Sequence, residues 1–296
     1  MSRAAATVVA FALLMTTAVG PAHADPGDMA ADPVVIDAGN GVAVVVDPEL
    51  RLLSITTPTP LSFHSLLAGE FSNSYFWGTG WGYGNVSVGD GGRFTFPQLG
   101  TYEYDPTSPT RLRDYPKDDV VASVEPGHLP PRGEVVPALD YQASLYHRDT
   151  RTTDYFDGGG VLIVSITEGG GRTDWEYRLD VDEVPRLLRI RHADDSVTQI
   201  DCISDRYYRI AAPGGVVRLL QTLELGGSES PYRFFGDREY TEFVYASPSG
   251  QGPLVSVQTI NPSTGDQTVI EIEWDLFAPE RVARVLKDGQ VVFPIS

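Results

Sequence analysis

Residues 187–203 read LLRIRHADDSVTQIDCI, and their spacing decides the fold class. From Leu187 to Ala193 apolar residues alternate with basic ones. Asp194-Asp195-Ser196 turns the chain, and alternation resumes through Val197 to Ile203. A period of two sends successive side chains to opposite faces, as a strand does, whereas a helix repeats its apolar face every three or four residues. Two alternating runs around a polar turn predict an antiparallel hairpin. Within it, Cys202 is expected to be a small buried strand residue, and His192 to face solvent.

Outward from this hairpin the same rhythm continues. Downstream come Tyr207 to Ala211, Val216 to Leu225, Thr241 to Tyr245, Leu254 to Ile260, Thr268 to Trp274, Val282 to Leu286 and Gln290 to Phe293. Turn signals such as Gly214-Gly215, Gly265-Asp266 and Asp288-Gly289 separate many of them. Upstream, Trp175 to Leu179, Gly160 to Thr167 (GVLIVSIT) and Tyr141 to His147 read as strands, with His147 at the surface. The spacing of about 8 to 14 residues is that of an antiparallel, all-β architecture with little helix. Two short helices have room, Ser62 to Gly69 and Asp182 to Leu188, the second limited by Pro185.

The N-terminal half carries the same pattern. Val34-Val35-Ile36 and Val42 to Val46 flank Asn40-Gly41, a strong hairpin signal. Leu50 to Thr57 follows and stops at Pro58 and Pro60. Asn85 to Val88 and Gly92 to Phe96 flank Asp90-Gly91, and Thr101 to Tyr104 is one more short strand. Between Asp105 and Pro137 the signal degrades, with room for a strand at Val120 to Val124. The expected organisation is therefore a leader over 1–24, an N-terminal β region over 25–115, a loop or linker over 116–137, and a C-terminal antiparallel region over 138–296.

The leader is read from Arg3, the apolar run Val8 to Met15 (VVAFALLM), and the small residues of Ala22-His23-Ala24 before Asp25. That is the layout of a secretory signal peptide cleaved near Ala24. No later apolar run is long enough to span a bilayer. The mature chain is expected outside the cytoplasm, without a transmembrane segment. Its formal net charge of -18 repels nucleic acid and anionic headgroups, which excludes both as primary partners. Cys202 is the only cysteine, so no internal disulfide can form and stability must come from an apolar core.

Several pieces are similar to bacterial Rhs/YD-repeat proteins. In the N-terminal half these are Asp37-Ala38-Gly39-Asn40-Gly41, Leu61-Ser62-Phe63, Trp77-Gly78-Thr79-Gly80-Trp81 and Gly91-Gly92-Arg93-Phe94-Thr95-Phe96. In the C-terminal half they are residues 190–197 (IRHADDSV), Glu242-Phe243-Val244-Tyr245 and residues 281–290 (RVARVLKDGQ). Tyr104-Asp105 is the only literal Tyr-Asp pair. The chain is also too short to coil into the closed shell of long family members, and no toxin domain is read after Ser296. The resemblance implies a β-sheet scaffold at the cell surface, and no catalytic residue carries over from it.

Chemistry is sparse. No G-x-S-x-G elbow occurs, and a triad would have to use His147 or His192. The mature chain's histidines, His64, His128, His147 and His192, are too dispersed for a zinc site. Asp154, Asp157, Asp194 and Asp195 are acidic turn residues without a Ca²⁺-loop pattern. No metal, cofactor or catalytic set is assigned. Glu271 and Glu273 share one strand face beside Trp274, an arrangement a glycan hydrolase could use, but with so many Asp and Glu residues the outward polar face of an amphipathic strand is the better reading. The leading candidates for ligand contact are Tyr75, Trp77, Trp81 and Tyr83, set among Gly78, Gly80 and Gly82. Such rings stack on sugars or on partner side chains, or else plug the end of the core. The expectation is a secreted, non-enzymatic β scaffold or binding module for a protein or glycan at the cell surface. The alternatives are a lectin-like glycan-binding module or a glycan hydrolase.

Overall fold

The computed structural model describes residues 32–65, 81–83, 86–89, 91–96, 99–179, 185–204, 206–225, 228–247, 253–278 and 280–293. The expected leader, residues 1–24, lies outside them. Five short strands form the first antiparallel sheet: β1 (Val34–Gly39), β2 (Val42–Val46), β3 (Leu53–Thr56), β4 (Leu61–His64) and β5 (Trp81–Tyr83). Asn40 and Gly41 both have positive φ, 55° and 71°, as the tight turn between β1 and β2 demands. A three-stranded sheet follows, of β6 (Ser87–Gly89), β7 (Arg93–Phe96) and β8 (Gly100–Glu103).

The rest of the chain is dominated by one sheet of fifteen antiparallel strands. It starts at β9 (Val120–Ser123). A separate hairpin, β10 (Gly127–Leu129) and β11 (Leu139–Tyr141), then intervenes. The long sheet resumes with β12 (Ala143–His147), β13 (Thr152–Phe156), β14 (Leu162–Thr167), β15 (Arg172–Leu179) and β16 (Pro185–Arg191). It continues with β17 (Val197–Ser204), β18 (Tyr207–Ala211), β19 (Val217–Leu225), β20 (Ser228–Phe235) and β21 (Tyr240–Tyr245). It ends with β22 (Leu254–Ile260), β23 (Gln267–Trp274), β24 (Val282–Lys287) and β25 (Gln290–Phe293). From β12 onward each strand pairs with its neighbour in sequence. The fold class is all-β, as the alternation predicts.

Two parts of the expectation need correction. Residues 116–137 are not a connector between separate bodies. Their strand β9 pairs with β12, and residues 32–296 form one compact unit. No helix forms at Pro185 to Leu188, which belong to β16; residues 181–184 lie outside the described residues. Ser62 to His64, read as the start of another helix, belong to β4. Among the described residues no helix is long and apolar enough to cross a membrane.

Strand alternation builds the core. In β21 the inward residues are Thr241, Phe243 and Tyr245, and in β18 they are Tyr208 and Ile210. The largest apolar cluster joins Val42, Val44, Ile55 and Phe63 of the first sheet to Leu187, Ile210, Phe243 and Val285 of the long one. A second joins Phe94 and Phe96 of the three-stranded sheet to Val120, Leu145 and Phe156. Trp175 packs against both clusters. A third, smaller cluster joins Leu129 of β10 to Ile163 and Val164 of β14.

Polar clamps fix the first sheet in place. Glu239 Oε1 accepts the Asn40 backbone N–H at 2.7 Å, and Asn40 Nδ2 donates to Phe234 O at 3.0 Å. Gly236 permits this approach, because a Cβ there would lie 2.0 Å from Asn40 Oδ1. Arg51 pairs with Asp275 at 2.9 Å, its carbonyl accepts the Val282 N–H at 2.7 Å, and Lys287 Nζ donates to Asp37 O at 2.8 Å.

Candidate functional site

Of the proposed aromatic contact residues, Trp81 is the one whose side chain the structure describes. Tyr75 and Trp77 lie outside the described residues. Tyr83 lies in β5 opposite Leu61. Trp81 is wholly buried, which corrects its assignment as a contact residue. Its ring stands edge-on to Phe243 at 4.6 Å and to Phe63 at 5.5 Å. Its Nε1–H donates to Tyr245 Oη at 2.9 Å, and Tyr245 in turn donates to Pro231 O at 2.7 Å. Burial pushes the Tyr245 phenol far above its usual range, against the smaller opposing effect of the Trp81 hydrogen bond. Trp81 therefore plugs the core, because a ring of that size gains most when it is removed from water.

The carboxylate pair is engaged otherwise. Glu271 and Glu273 face outward from β23, but Arg284 on β24 grips Glu273 through two nitrogens, one at 2.9 Å. That hydrogen bond, with the charge of Arg284, holds the Glu273 carboxyl below its usual range. A glycosidase acid needs the opposite shift.

The histidines differ from the expectation in one place. His147 is half-buried rather than on the surface, because it lies on the same face of β12 as Leu145. Its Nε2 lies 3.0 Å from Asp154 Oδ2, and Ser165 Oγ donates to Asp154 Oδ1 at 2.6 Å. A serine nucleophile needs the imidazole between itself and the carboxylate, whereas here the carboxylate stands in the middle. His192 lies 3.0 Å from Thr198 Oγ1, and His128 pairs with Asp140 in the open. Cys202 is exposed rather than buried, at the end of β17 where Cys202, Ile203 and Ser204 are all exposed.

The acidic turns close on themselves. Asp157 Oδ1 accepts from the N–H groups of Gly159 and Val161, and Asp194 Oδ1 accepts from Ser196. Among the described residues no three His, Cys, Asp or Glu side chains could hold a metal ion together.

The arrangement with the most chemistry lies on the other face of the long sheet. Between β10 and β11 the loop closes through a bridge of Arg132 with Val136. Arg132 reaches over the ends of β15 and β16. Its Nη1 donates to Arg172 O at 2.6 Å and to Asp174 Oδ2 at 3.0 Å, and its Nη2 donates to His192 O and Asp195 Oδ1 at 2.7 Å each. Asp174 is only 1 % exposed and is gripped from the other side by Arg172, whose Nε lies 2.8 Å from Oδ1. Arg189 reaches Glu176 at 3.3 Å.

Beside this knot opens a pocket of about 710 Å³ lined by Arg132, Arg172, Arg191, Asp195, Val135 and Ala193, among others. Sequence reading missed it. The usable signal was the alternation of apolar and basic residues that places Arg189 and Arg191 on one face of β16. Arg132 gave none, because most of what it bonds is backbone.

No family model matches the chain, and no curated protein matches it. Among solved structures, one titled "Crystal Structure of TcdB2-TccC3 without hypervariable C-terminal region" is similar over 70% of this chain and 11% of that chain. The identity is 11% and the TM-score 0.26. The chain thus spans about a tenth of that chain's length. A TM-score so low does not fix a fold, and the all-β assignment rests on the strand ladders themselves.

Proposed function

We propose that this protein is a non-enzymatic β scaffold or binding module, a short relative of the Rhs/YD-repeat proteins that works outside the cytoplasm at the cell surface, where it contacts a protein or glycan. One observation carries the proposal. On the outer face of the long sheet, four pairs of opposite charge bridge neighbouring strands. Arg189 pairs with Glu176, Arg209 with Asp201, Arg233 with Glu242 and Arg284 with Glu273. Such pairs hold neighbouring strands in register, which is the work of a scaffold. The leader pattern before Asp25 supports export.

The test is turnover by the purified mature chain on polysaccharide and ester panels, with Glu273→Gln as control. No saturable hydrolysis is expected from either form. Saturable hydrolysis that Glu273→Gln abolishes would replace the proposal with the hydrolase alternative. Export is checked by N-terminal sequencing of secreted protein, which should begin near Asp25; cytosolic protein with an intact leader would end that part.

A further inference from the structure

Four guanidinium groups, from Arg132, Arg172, Arg189 and Arg191, face three carboxylates, from Asp174, Glu176 and Asp195. One positive charge is left over, in a molecule whose net charge is -18. That surplus belongs to Arg191. Its side chain is only 16% exposed, and its Nε meets no hydrogen-bond partner among the described residues. The carboxylate oxygen paired with it, Glu176 Oε1, stands 4.0 Å from Nη2, beyond hydrogen-bond length, and itself has no hydrogen bond among the described residues. A desolvated cationic donor left without an acceptor is costly. Arg191 nevertheless lines an open pocket of about 710 Å³, within the range that holds a sugar or a short peptide end.

We propose that this pocket binds a carboxylate-bearing ligand, received by the Arg191 guanidinium. Resting on the binding-module reading above, this gives the scaffold a ligand class. A planar guanidinium presents parallel N–H donors that match the two oxygens of a carboxylate. Arg132 is spent on Asp174, Asp195 and main-chain carbonyls. Arg172 holds Asp174 through Nε while its Nη2, like Arg191 Nε, has no hydrogen-bond partner among the described residues, so Arg191 supplies the contact with Arg172 beside it. Among the described residues no aromatic ring lines the pocket, so charge rather than stacking selects the ligand. The carboxylate can come from an acidic sugar or from the C-terminus of a peptide.

Isothermal titration with two probe pairs tests this. One pair is galacturonate and its methyl ester. The other is N-acetyl-Gly-Gly-Ala with a free C-terminus and the same peptide amidated. At least one acid should bind saturably while its neutral partner does not, and added salt should weaken it. Binding of galacturonate alone assigns the sugar source, and of the peptide alone the chain terminus. Arg191→Gln should raise Kd about tenfold or more. Val135→Trp, at an exposed lining position, should block entry without touching the core, and it decides the matter if Arg191→Gln does not fold. The proposal is overturned if neither acid binds below about 10 mM, if the neutral probes bind equally, or if both folded variants bind as the parent does. The hydrolysis assay is independent, so failure here and failure of the scaffold reading are told apart.

Discussion

Tyr245 holds two polar groups together in a dry interior, since its hydroxyl accepts from Trp81 Nε1 and donates to Pro231 O. Replacing it with Phe keeps the ring and leaves both groups unpaired. Tyr245→Phe should therefore cost about 1–3 kcal/mol, seen in urea as a lower midpoint at unchanged slope. A loss below about 0.5 kcal/mol would mean that the pair is satisfied otherwise. The role of Trp81 was only half legible in the sequence. Its neighbours Gly80 and Gly82 leave equal room for an exposed ring and a plug. What decides is Phe243 and Tyr245, about 160 residues away and brought there by the long sheet. Asn40 gives the same lesson. Its dipeptide with Gly41 announces the turn, because positive φ is a local property. Its bonds to Glu239 and Phe234 leave no local trace.

At the level of elements, the strands were readable because alternation is local, and the knot around Arg132 was not. The segment Pro130-Pro131-Arg132-Gly133 gives only a loop signal, and three of the groups that Arg132 bonds are carbonyls, which every residue carries. That knot ties the β10–β11 loop to β15, to β16 and to the β16–β17 turn. Lysine offers one point charge where the guanidinium offers five donors. Arg132→Lys should thus destabilise by about 3 kcal/mol or more, because it strips nearly buried Asp174 of one partner and several carbonyls of theirs. Limited proteolysis should then cut within residues 130–138 well before it cuts the parent. Equal resistance in both proteins would show the loop to be held by its apolar contacts through Leu129 and Leu139.

Charge acts on the molecule as a whole, and it sets the pH response. Burial works to lower the His147 pKa, but the hydrogen bond and charge of Asp154, with Asp149 and Asp119 behind it, outweigh burial and raise it. A raised value gives stability that is complete below the unfolded value near ~6.5 and is lost as pH climbs through the folded one. Repulsion among the excess acidic groups also grows as pH rises away from the pI near 4.5. Hydrogen bonds to Asp105, Asp194, Glu273 and Asp275 hold those carboxyls below their usual range. Their contribution is present above ~4 and is lost as pH falls through the folded values. The melting temperature should peak near about pH 5–6 and fall on both sides. In His147→Gln the fall between about pH 5.5 and 8.5 should be shallower. A maximum at about pH 8 in the parent would refute this.

The clamp between the first sheet and the last strands also sets a timetable. Asn40 must wait for Glu239, 199 residues later, and Asp37 for Lys287, 250 later. At about 5–20 residues per second, a ribosome needs roughly 10–50 s to bridge those gaps. Throughout that delay the earliest ribbon is out with Val42, Val44 and Ile55 uncovered, so the newborn chain stays open to aggregation until its last strands arrive.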